Sequence, residues 1–475
     1  MWIGIRVAAL GLALVLASAS PALAEERSEE GSEERVHDPY QGMDKSGRIP
    51  AVEKPADLPN PERWRYIPEG RLKPGNFFQR FLASSFLIPF VFRNADTGVG
   101  GGLGFTDIDF RAQRRREFAG LFLSYTSKGQ RSAWGLWRRW LHHRDLPEGG
   151  ILQEERSFVS ISGGYQKTLT RLFFGFGPDS REDDEIQYTE EVFGLEIDAE
   201  MALPEPGANL VGSIGLRAEI QQLSTNAFDC DRFAERTLSP QEAIDMAVAS
   251  CPGEWDASAL FQDSIESRDV EQLGFLTGGL RWDTRDSQRN PYAGFQIGAD
   301  IDAPLVQRDG KLGALFTLST SAALVVPPVF HDGGDDEEEN PPTDTLNFGF
   351  RHRMQAGHLP FTLYPALGGS RTLRAYPSGR FRDKASWHAG VEHRVWVVPR
   401  GFEITPEIRV ERIGLAPFFE AGSVGANGIE VFGNPIKFSY GVGLRLLLER
   451  AAPFRVDFAW SKHGFNWSAG FGYTF

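Results

Sequence analysis

From about residue 98 to residue 475, apolar and polar positions alternate in short segments, and clusters of Gly, Asp, Asn and Pro separate the segments. The last segment shows the pattern most clearly. One face carries Phe465, Trp467, Ala469, Phe471, Tyr473 and Phe475, and the other carries Asn466, Ser468, Gly470, Gly472 and Thr474. A period of two separates side chains in this way only in a β-strand. A polar face of small, uncharged residues is typical of a transmembrane β-barrel, whose strands contact lipid on one face and a polar lumen on the other.

Sixteen segments of this kind are predicted to be strands, and bacterial single-chain barrels have an even number of strands. The predicted strands are 98–110, 117–127, 131–141, 155–166, 168–177, 186–201, 209–223, 269–282, 294–306, 311–326, 344–355, 385–397, 407–421, 435–449, 453–461 and 465–475. We therefore predict an all-β protein, a 16-stranded antiparallel transmembrane β-barrel of the bacterial outer membrane.

The first 24 residues have the features of a secretory signal peptide. Arg6 supplies the positive charge, residues 7–17 are apolar or Gly, and Ala22-Leu23-Ala24 is a small-x-small cleavage site. The apolar run is too short for the alternative, a transmembrane helix, which needs about 20 residues. The predicted organisation is a signal peptide over 1–24, a flexible periplasmic lead-in over 25–97 and the barrel over 98–475. Within the lead-in, Asn76–Leu87 is predicted as a short amphipathic helix or a plug-like segment.

The connections between strands differ in length, and the longer ones are expected outside the cell. With the N-terminus in the periplasm, this count places 224–268, 356–384 and the His142–Asp145 segment outside. The acidic connection 327–343 becomes an unusually long periplasmic turn. Cys230 and Cys251 bracket a helix predicted from the capping box at 239–242. In an oxidising compartment one disulfide between them is expected, and the alternative of a metal site lacks nearby His residues.

Composition excludes several classes of protein. The 475 residues are 41% hydrophobic and 12% aromatic, which excludes a disordered chain. The net charge of −14 argues against nucleic-acid binding. The Gly-rich run 98–104 does not fit a nucleotide-binding spacing, and it indicates a weak closing strand. Without a catalytic, metal or cofactor motif we expect no enzyme, no cofactor and no metal, although a hydrolase assembled from distant residues stays open.

The C-terminal third carries three motifs: Leu367-Gly368-Gly369-Ser370-Arg371-Thr372-Leu373-Arg374-Ala375-Tyr376, then Trp282-Asp283-Thr284-Arg285-Asp286 with Pro291 and Gly294, and Phe418-Phe419-Glu420-Ala421-Gly422. Together they resemble the bacterial surface antigen family, the BamA/TamA superfamily of outer-membrane assembly factors and two-partner secretion translocators. The segment 367–376 resembles the loop motif of the family, with Ala375 where the family usually has Gly. Segment 282–286 resembles a strand-turn-strand motif, and segment 418–422 resembles an aromatic-x-acid-x-Gly strand. The residues that carry the resemblance are Gly368, Gly369, Arg374, Tyr376, Glu392, Phe418, Glu420 and Gly422, then Asp283, Arg285, Asp286, Pro291 and Gly294, and Phe475 as the C-terminal aromatic signal.

The resemblance implies a function and a role for the loop. The loop would fold into the barrel, and Arg374 would present its guanidinium to Glu392 or Glu420. The alternative is an ordinary lumenal ion pair that only stiffens the barrel. The implied function is outer-membrane protein insertion or secretion by a barrel-only member without periplasmic domains. Its partners would be outer-membrane lipid, an unfolded barrel or secreted client and a periplasmic protein. A passive pore is the alternative function, with selectivity set by Arg351, Arg353, Arg445, Arg455 and Asp457.

Overall fold

A computed structural model of the chain describes residues 53–67, 85–94, 97–107, 109–147, 149–182, 185–224, 270–288, 290–307, 312–334, 338, 341–405, 408–448 and 452–474. Sixteen long antiparallel strands form a closed barrel, which confirms the predicted fold class. In chain order, the strands β1 to β16 are Ser85–Asn94, Gly98–Asp107, Glu117–Thr126, Arg131–Trp140, Phe158–Phe173, Ile186–Leu203, Leu210–Ser224, Val270–Asp283, Gly294–Gln307, Gly313–Val326, Asp344–Gly357, Ala385–Val398, Ile408–Gly425, Lys437–Leu448, Ala452–Ser461 and Gly464–Phe471.

The predicted number of strands is right, but the prediction misses one strand and divides another into two. The barrel begins with β1 at Ser85, ahead of the predicted start at residue 98. The segment is apolar without alternation and contains Pro89, so the period-two pattern is absent. Conversely, the predicted strands 155–166 and 168–177 are one strand, β5. The polar residues at its middle suggested a turn, but a shift of register between Thr168 and Arg171 lets the strand continue as a bulge.

The two faces of the barrel wall differ as the alternation predicts. Large apolar side chains on the outer face are exposed, among them Ile214, Leu280 and Val325, each 60–61% exposed. This band suits contact with lipid. Polar and charged side chains on the inner face are buried, including Asn347, Glu392 and Asp457. Among the described residues, no helix has the length and apolarity needed to cross a membrane.

The chain ahead of the barrel is folded where the structure describes it. Residues 61–63 form a 3₁₀ turn, and strand Trp64–Ile67 pairs with Ile151–Glu154, which pairs in turn with His143–Asp145. Leu58 and Trp64 bury their side chains against Leu152. Residues 53–67, which we call the arm, are therefore not the flexible lead-in that the composition predicted.

The arm marks the end of the barrel at which the chain enters, which we call the entry end. Arg63 Nη2 donates a hydrogen bond to the Thr284 carbonyl (2.8 Å), and Asn60 Nδ2 donates to the Pro206 carbonyl (3.2 Å). The β6–β7 and β8–β9 connections therefore lie at this end, and the opposite end is called the loop end.

The additional strand β1 moves the first connections to the other end of the barrel. The His142–Asp145 segment belongs to the β4–β5 connection at the entry end, so its predicted external position is wrong. For the connections after β5, the predicted side of the barrel is unchanged. The count misses one strand before residue 98 and counts β5 twice, so the two errors offset each other. The signal peptide, the segment with Cys230 and Cys251, and Phe475 lie outside the described residues. So do residues 76–84 of the predicted short helix, but its last residues, 85–87, belong to strand β1, and a helix there is wrong.

Candidate functional site

The connection between β11 and β12 folds back against the inner wall of the barrel. Two short strands, Ala366–Leu367 and Phe381–Arg382, pair at its base. Gly368 and Gly369 have φ angles of +107° and +102°, and a Cβ on Gly368 would lie 2.1 Å from the Pro377 carbonyl oxygen. Only glycine accepts that conformation and that approach, so the Gly-Gly pair fixes the turn into the loop tip.

The loop tip, residues 370–376, is packed into an apolar cluster. Leu373 and Tyr376 are 0% and 3% exposed, and the Tyr376 ring lies 5.1 Å from that of Phe381. The left-handed residue of the tip is Leu373, with φ +44°, and not Ala375. The tip therefore accepts Ala375 where the family usually has Gly.

Arg374 is the centre of the site and is fully buried. Its backbone N–H donates to Glu420 Oε2 (2.8 Å) and its Nε to Glu420 Oε1 (3.1 Å). Its Nη1 donates to Glu392 Oε2 and to Asp457 Oδ1, both at 3.1 Å. The guanidinium carbon lies 3.4 Å from the Phe418 ring centroid. The structure thus brings Arg374 to both of its predicted acids and to a third, Asp457.

Three further guanidiniums surround the same carboxylates. Arg445 donates to Glu392 Oε2 (2.6 Å) and to Asp457 Oδ1 (2.8 Å). Arg394 donates to Glu392 Oε1 (2.9 Å). Arg455 donates to Asp457 and, at 2.6 Å, to the Ser370 carbonyl of the loop tip. We call this set of four arginines with Glu392, Glu420 and Asp457 the ionic network.

The ionic network holds its charges without water contact, because every one of these side chains is at most 4% exposed. Buried charges are tolerated only when they are paired and hydrogen-bonded, and charge-assisted hydrogen bonds are the stronger kind. The carboxylates come from β12, β13 and β15, and Arg445 comes from β14. The network therefore joins four neighbouring strands, β12 to β15, to the loop tip.

Gly422 makes room for the loop on the same wall. A Cβ at this position would lie 2.9 Å from the Leu367 side chain and 2.7 Å from the Trp387 carbonyl oxygen. A larger residue would therefore push away the base of the loop. On β12, His388 Nε2 lies 3.5 Å from Glu420 Oε1, so the histidine also borders the network.

The C-terminal residues join the site from the last strand. Strand β16 ends at Phe471, and Gly472 has a φ of +83°. Tyr473 then lies against Arg394, whose guanidinium carbon is 3.7 Å from the ring centroid. The prediction that Tyr473 shares a face with Phe471 is therefore wrong, because the left-handed glycine ends the alternation.

The strand-turn motif builds a different part of the molecule. Arg285 and Asp283 form a bidentate pair (3.0 and 2.9 Å) at the end of β8. Asp286 Oδ1 accepts hydrogen bonds from three backbone N–H groups of the turn, and burial raises the pKa of its carboxyl group. Pro291 is buried, and Gly294 has a φ of +99° with no room for a Cβ beside the Thr284 carbonyl. These five residues shape the turn at the entry end, away from the loop tip.

The same turn receives the arm and the β4–β5 connection. Arg156 donates to the Asp283 carbonyl (2.6 Å) and the Arg285 carbonyl (2.7 Å). Burial lowers the pKa of Arg156 to about 10, so it stays charged at neutral pH. The strand-turn motif is therefore a structural anchor for the entry end.

Sequence reasoning missed part of the network. The sequence places Arg445, Arg455 and Asp457 only in the alternative of a passive pore, and it indicates no role for Asn466 and Ser439. The Asn466 Nδ2 donates to the Arg374 carbonyl (2.9 Å), and the Ala375 N–H donates to Ser439 Oγ (3.0 Å). Alternation placed these residues on inner faces, but the missing signal was the register between strands. Within the described ranges, no group of three or more His, Cys, Asp or Glu residues is arranged to hold a metal ion.

Comparison with known families decides the identity of the barrel. A model of the Omp85 superfamily domain matches residues 117–475. The chain belongs to the Omp85 superfamily. It is accordingly a protein of the bacterial outer membrane, and the resemblance found in the sequence is confirmed. The match to the Omp85 domain begins at β3, so β1 and β2 lie ahead of it.

Solved structures similar to this Omp85 protein have low sequence identity. BamA from Haemophilus ducreyi lacking POTRA domains 1-3 is 12% identical, with a TM-score of 0.46, and the match covers 82% of this chain and 70% of that one. CdiB from Acinetobacter baumannii is 11% identical (TM-score 0.42), covering 82% and 59%. CdiB from Escherichia coli is 8% identical (TM-score 0.47), covering 81% and 62%. The chain therefore spans less than two thirds of either CdiB chain. No curated protein sequence matches it.

Proposed function

We propose that this Omp85 barrel inserts or translocates polypeptide clients at the seam between β1 and β16. The observation that supports the proposal is the pairing at this seam. In the described residues, Arg93 and Ala469 are the one residue pair that joins the two strands. By contrast, β1 pairs with β2 without interruption from Asn94–Gly98 to Ser85–Asp107. An edge with unpaired N–H and C=O groups is a template for a further strand.

Pro89 supports an unpaired edge on β1. The Val99 carbonyl accepts a hydrogen bond from the Ser127 N–H (2.7 Å), so the polar backbone groups of Val99 point toward β3. Its partner on β1, Arg93, therefore points its backbone groups toward β16, because backbone groups alternate in direction along a strand. Pro89, four residues earlier, faces the same way. It has no N–H to donate, and proline is confined to edges of this kind.

The ionic network gives the two sides of the seam unequal support. It joins β12 to β15 to the loop tip, and Asn466 of β16 is bonded to the same tip. The wall that ends in β16 is thus held from inside. On the other side, β1 is held by its ladder to β2 and by Arg93. A client strand would therefore enter by displacing β1 from β16, while the loop tip keeps the opposite wall in place.

Assisted insertion tests the proposal. The purified protein is placed in liposomes, and the insertion rate of a small unfolded client barrel is compared with that in empty liposomes. An insertase would accelerate insertion. No acceleration by a folded barrel would contradict the insertion proposal, and transport of an unfolded secreted client into the same liposomes would then test translocation. The client, the outer-membrane lipid and a periplasmic partner are the proposed partners.

A passive pore is the second candidate, and one observation favours it. Arg351 is exposed on the inner face of β11, within electrostatic range of Asp300 and Arg371. Arg445, Arg455 and Asp457, by contrast, are buried in the ionic network and do not line an open path. The test is single-channel conductance. A preference for anions that becomes a preference for cations in Arg351→Glu would support a pore. Absence of conductance would leave the seam as the route.

A further inference from the structure

The side chain of Asn466 touches both the loop tip and the first strand of the barrel. Its Nδ2 donates a hydrogen bond to the Arg374 carbonyl at 2.9 Å. Its Oδ1 accepts a hydrogen bond from Arg93 Nη1 at 3.1 Å. Asn466 itself lies on β16 and is 8% exposed. One buried amide therefore connects the loop, the last strand and the first strand.

The orientation of this amide follows from its partners. A carbonyl oxygen can only accept and a guanidinium can only donate, so the nitrogen must face Arg374 and the oxygen must face Arg93. An aspartate would keep the acceptor and lose the donor. A leucine would lose both, so the buried Arg374 carbonyl would lose its Asn466 donor and Arg93 would keep only its contacts with Trp467, which is costly.

Arg93 closes the seam at the place where the ladder between the strands stops. Its backbone pairs with Ala469, and its side chain runs on along β16. Besides Asn466, the guanidinium donates to the Trp467 carbonyl and lies 4.7 Å from the Trp467 ring centroid. On the loop-end side of the Arg93–Ala469 pair, the Arg93 side chain therefore connects β1 to β16 in place of backbone hydrogen bonds.

We propose that Asn466 is a positioning residue that couples the locked loop tip to closure of the seam. When the tip is bound in the ionic network, its Arg374 carbonyl holds the Asn466 amide in the orientation that receives Arg93. When the tip leaves, the amide loses this constraint and Arg93 loses its oriented acceptor. Loop release and seam opening become one event. The inference rests on the proposed function, because it supplies a means of opening the seam to a client.

Seam closure is measured without any client. Phe92→Cys and Gly470→Cys introduce a reporter pair next to Arg93–Ala469, in a background with Cys230 and Cys251 replaced by Ser. A Cβ at Gly470 meets no atom within 4 Å. The rate of disulfide formation is compared with and without Arg374→Ala. We expect Arg374→Ala to slow it about tenfold, the factor that corresponds to one hydrogen bond to a charged group.

The coupling appears in the double variants. In Asn466→Asp both side-chain oxygens are charged acceptors, so Arg93 keeps an acceptor whether or not the tip is bound. The rate should therefore stay at or above that of the parent, and Arg374→Ala should have no further effect. In Asn466→Leu the rate is low with either residue at 374. The matched control is Ser468→Ala, a buried hydroxyl on the same face of β16 that has no hydrogen-bond partner among the described residues. In this control the tenfold effect of Arg374→Ala persists.

Two results would overturn the coupling. One is an equal effect of Arg374→Ala in the parent and in Asn466→Asp. The other is no effect in either. Heat-dependent gel mobility identifies the folded fraction, and Asn466→Asp preserves the size of the side chain, so misfolding does not mask the answer. The assay contains no client, so coupling without insertion activity would reject the proposed function alone.

Discussion

The Arg394 guanidinium carbon lies 3.7 Å from the ring centroid of Tyr473, which places the C-terminal tail on the ionic network that holds the loop tip. Arg394 also donates to Glu392, the carboxylate shared with Arg374 and Arg445. The last residues of the barrel and the loop tip are therefore bound to one group of charges. A substitution at Tyr473 is therefore expected to affect the loop tip, and release of the loop tip is expected to affect Tyr473.

Replacement of Tyr473 by Leu removes the cation–π contact but keeps an apolar side chain. A desolvated contact of this kind contributes about 2 kcal/mol, so the barrel should unfold at a lower temperature. Heat-dependent mobility in gels measures the midpoint. The control is Phe471→Leu on the outer face, where 43% of the residue is exposed. An equal decrease in both variants would show that Tyr473 does not act through Arg394.

Arg374→Ala should release the loop tip. Removal of one partner from a buried ion pair costs about 3–5 kcal/mol, because the remaining charges lose their compensation. Glu420 would lose the hydrogen bond from the Arg374 side chain. It would also lose the one from the backbone N–H of residue 374, because that bond forms only while the tip is in place. Limited proteolysis of folded protein should then cut between residues 368 and 380. Arg374→Lys should give an intermediate result, since one ammonium cannot reproduce the fork of contacts. Unchanged protease resistance in Arg374→Ala would contradict a locking role.

Pro89→Val should close the seam more tightly. The substitution restores an N–H that points toward β16, and valine favours extended strands. We expect slower hydrogen exchange at Val91, whose N–H also points toward β16, and slower client insertion. The control is Leu87→Val on the same strand, which adds no donor. Faster insertion by Pro89→Val would contradict this prediction. It would show that the added N–H helps β1 to bind a client strand more than it helps β1 to bind β16.

Arg156→Met should loosen the β4–β5 connection at the entry end, and with it the arm strand that pairs with Ile151–Glu154. Arg156 is 3% exposed and donates to two carbonyl groups of the β8–β9 turn. The substitution removes the Arg156 donor from the buried Asp283 carbonyl, at about 1–3 kcal/mol, while the Arg285 carbonyl keeps the hydrogen bond from Arg63. Hydrogen exchange in residues 57–67 should rise. Arg65→Met provides the contrast, because the Arg65–Glu155 pair is partly exposed and contributes about 0–1 kcal/mol. Equal exchange in the two variants would reject the anchoring role of Arg156.

Alternation predicted which side chains of β12 to β16 face the lumen, because a period of two is a local property of the chain. It placed Glu392 and Arg394 on one face and Asp457 on the inner face of its own strand. It did not predict that Arg445 and Asp457 meet Arg374. That meeting depends on the register between strands, here Gly443 opposite Asp457 and Gly414 opposite Arg445, which no local pattern contains.

Two other errors of the sequence analysis, the missed strand β1 and the face of Tyr473, have causes in the local sequence. The strand β1 lacks alternation and contains Pro89, so its segment did not resemble a barrel strand. Tyr473 was assigned to the wrong face because a single left-handed residue, Gly472, ends the alternation. Motif resemblance supplied the Gly-Gly pair at 368–369 and two acids of the network, Glu392 and Glu420, because a family motif carries information on long-range contacts that periodicity lacks.

Client insertion with a tethered seam tests the central claim most directly. The Phe92→Cys, Gly470→Cys protein is oxidised or reduced in liposomes, and insertion of an unfolded client barrel is timed. The control tether is Ser124→Cys with Ser132→Cys, whose hydroxyls lie 2.7 Å apart between β3 and β4, away from the seam. We predict that oxidation of the seam pair abolishes acceleration, that reduction restores it, and that the control tether has no effect. Full acceleration by the oxidised seam pair would contradict the claim that clients enter between β1 and β16.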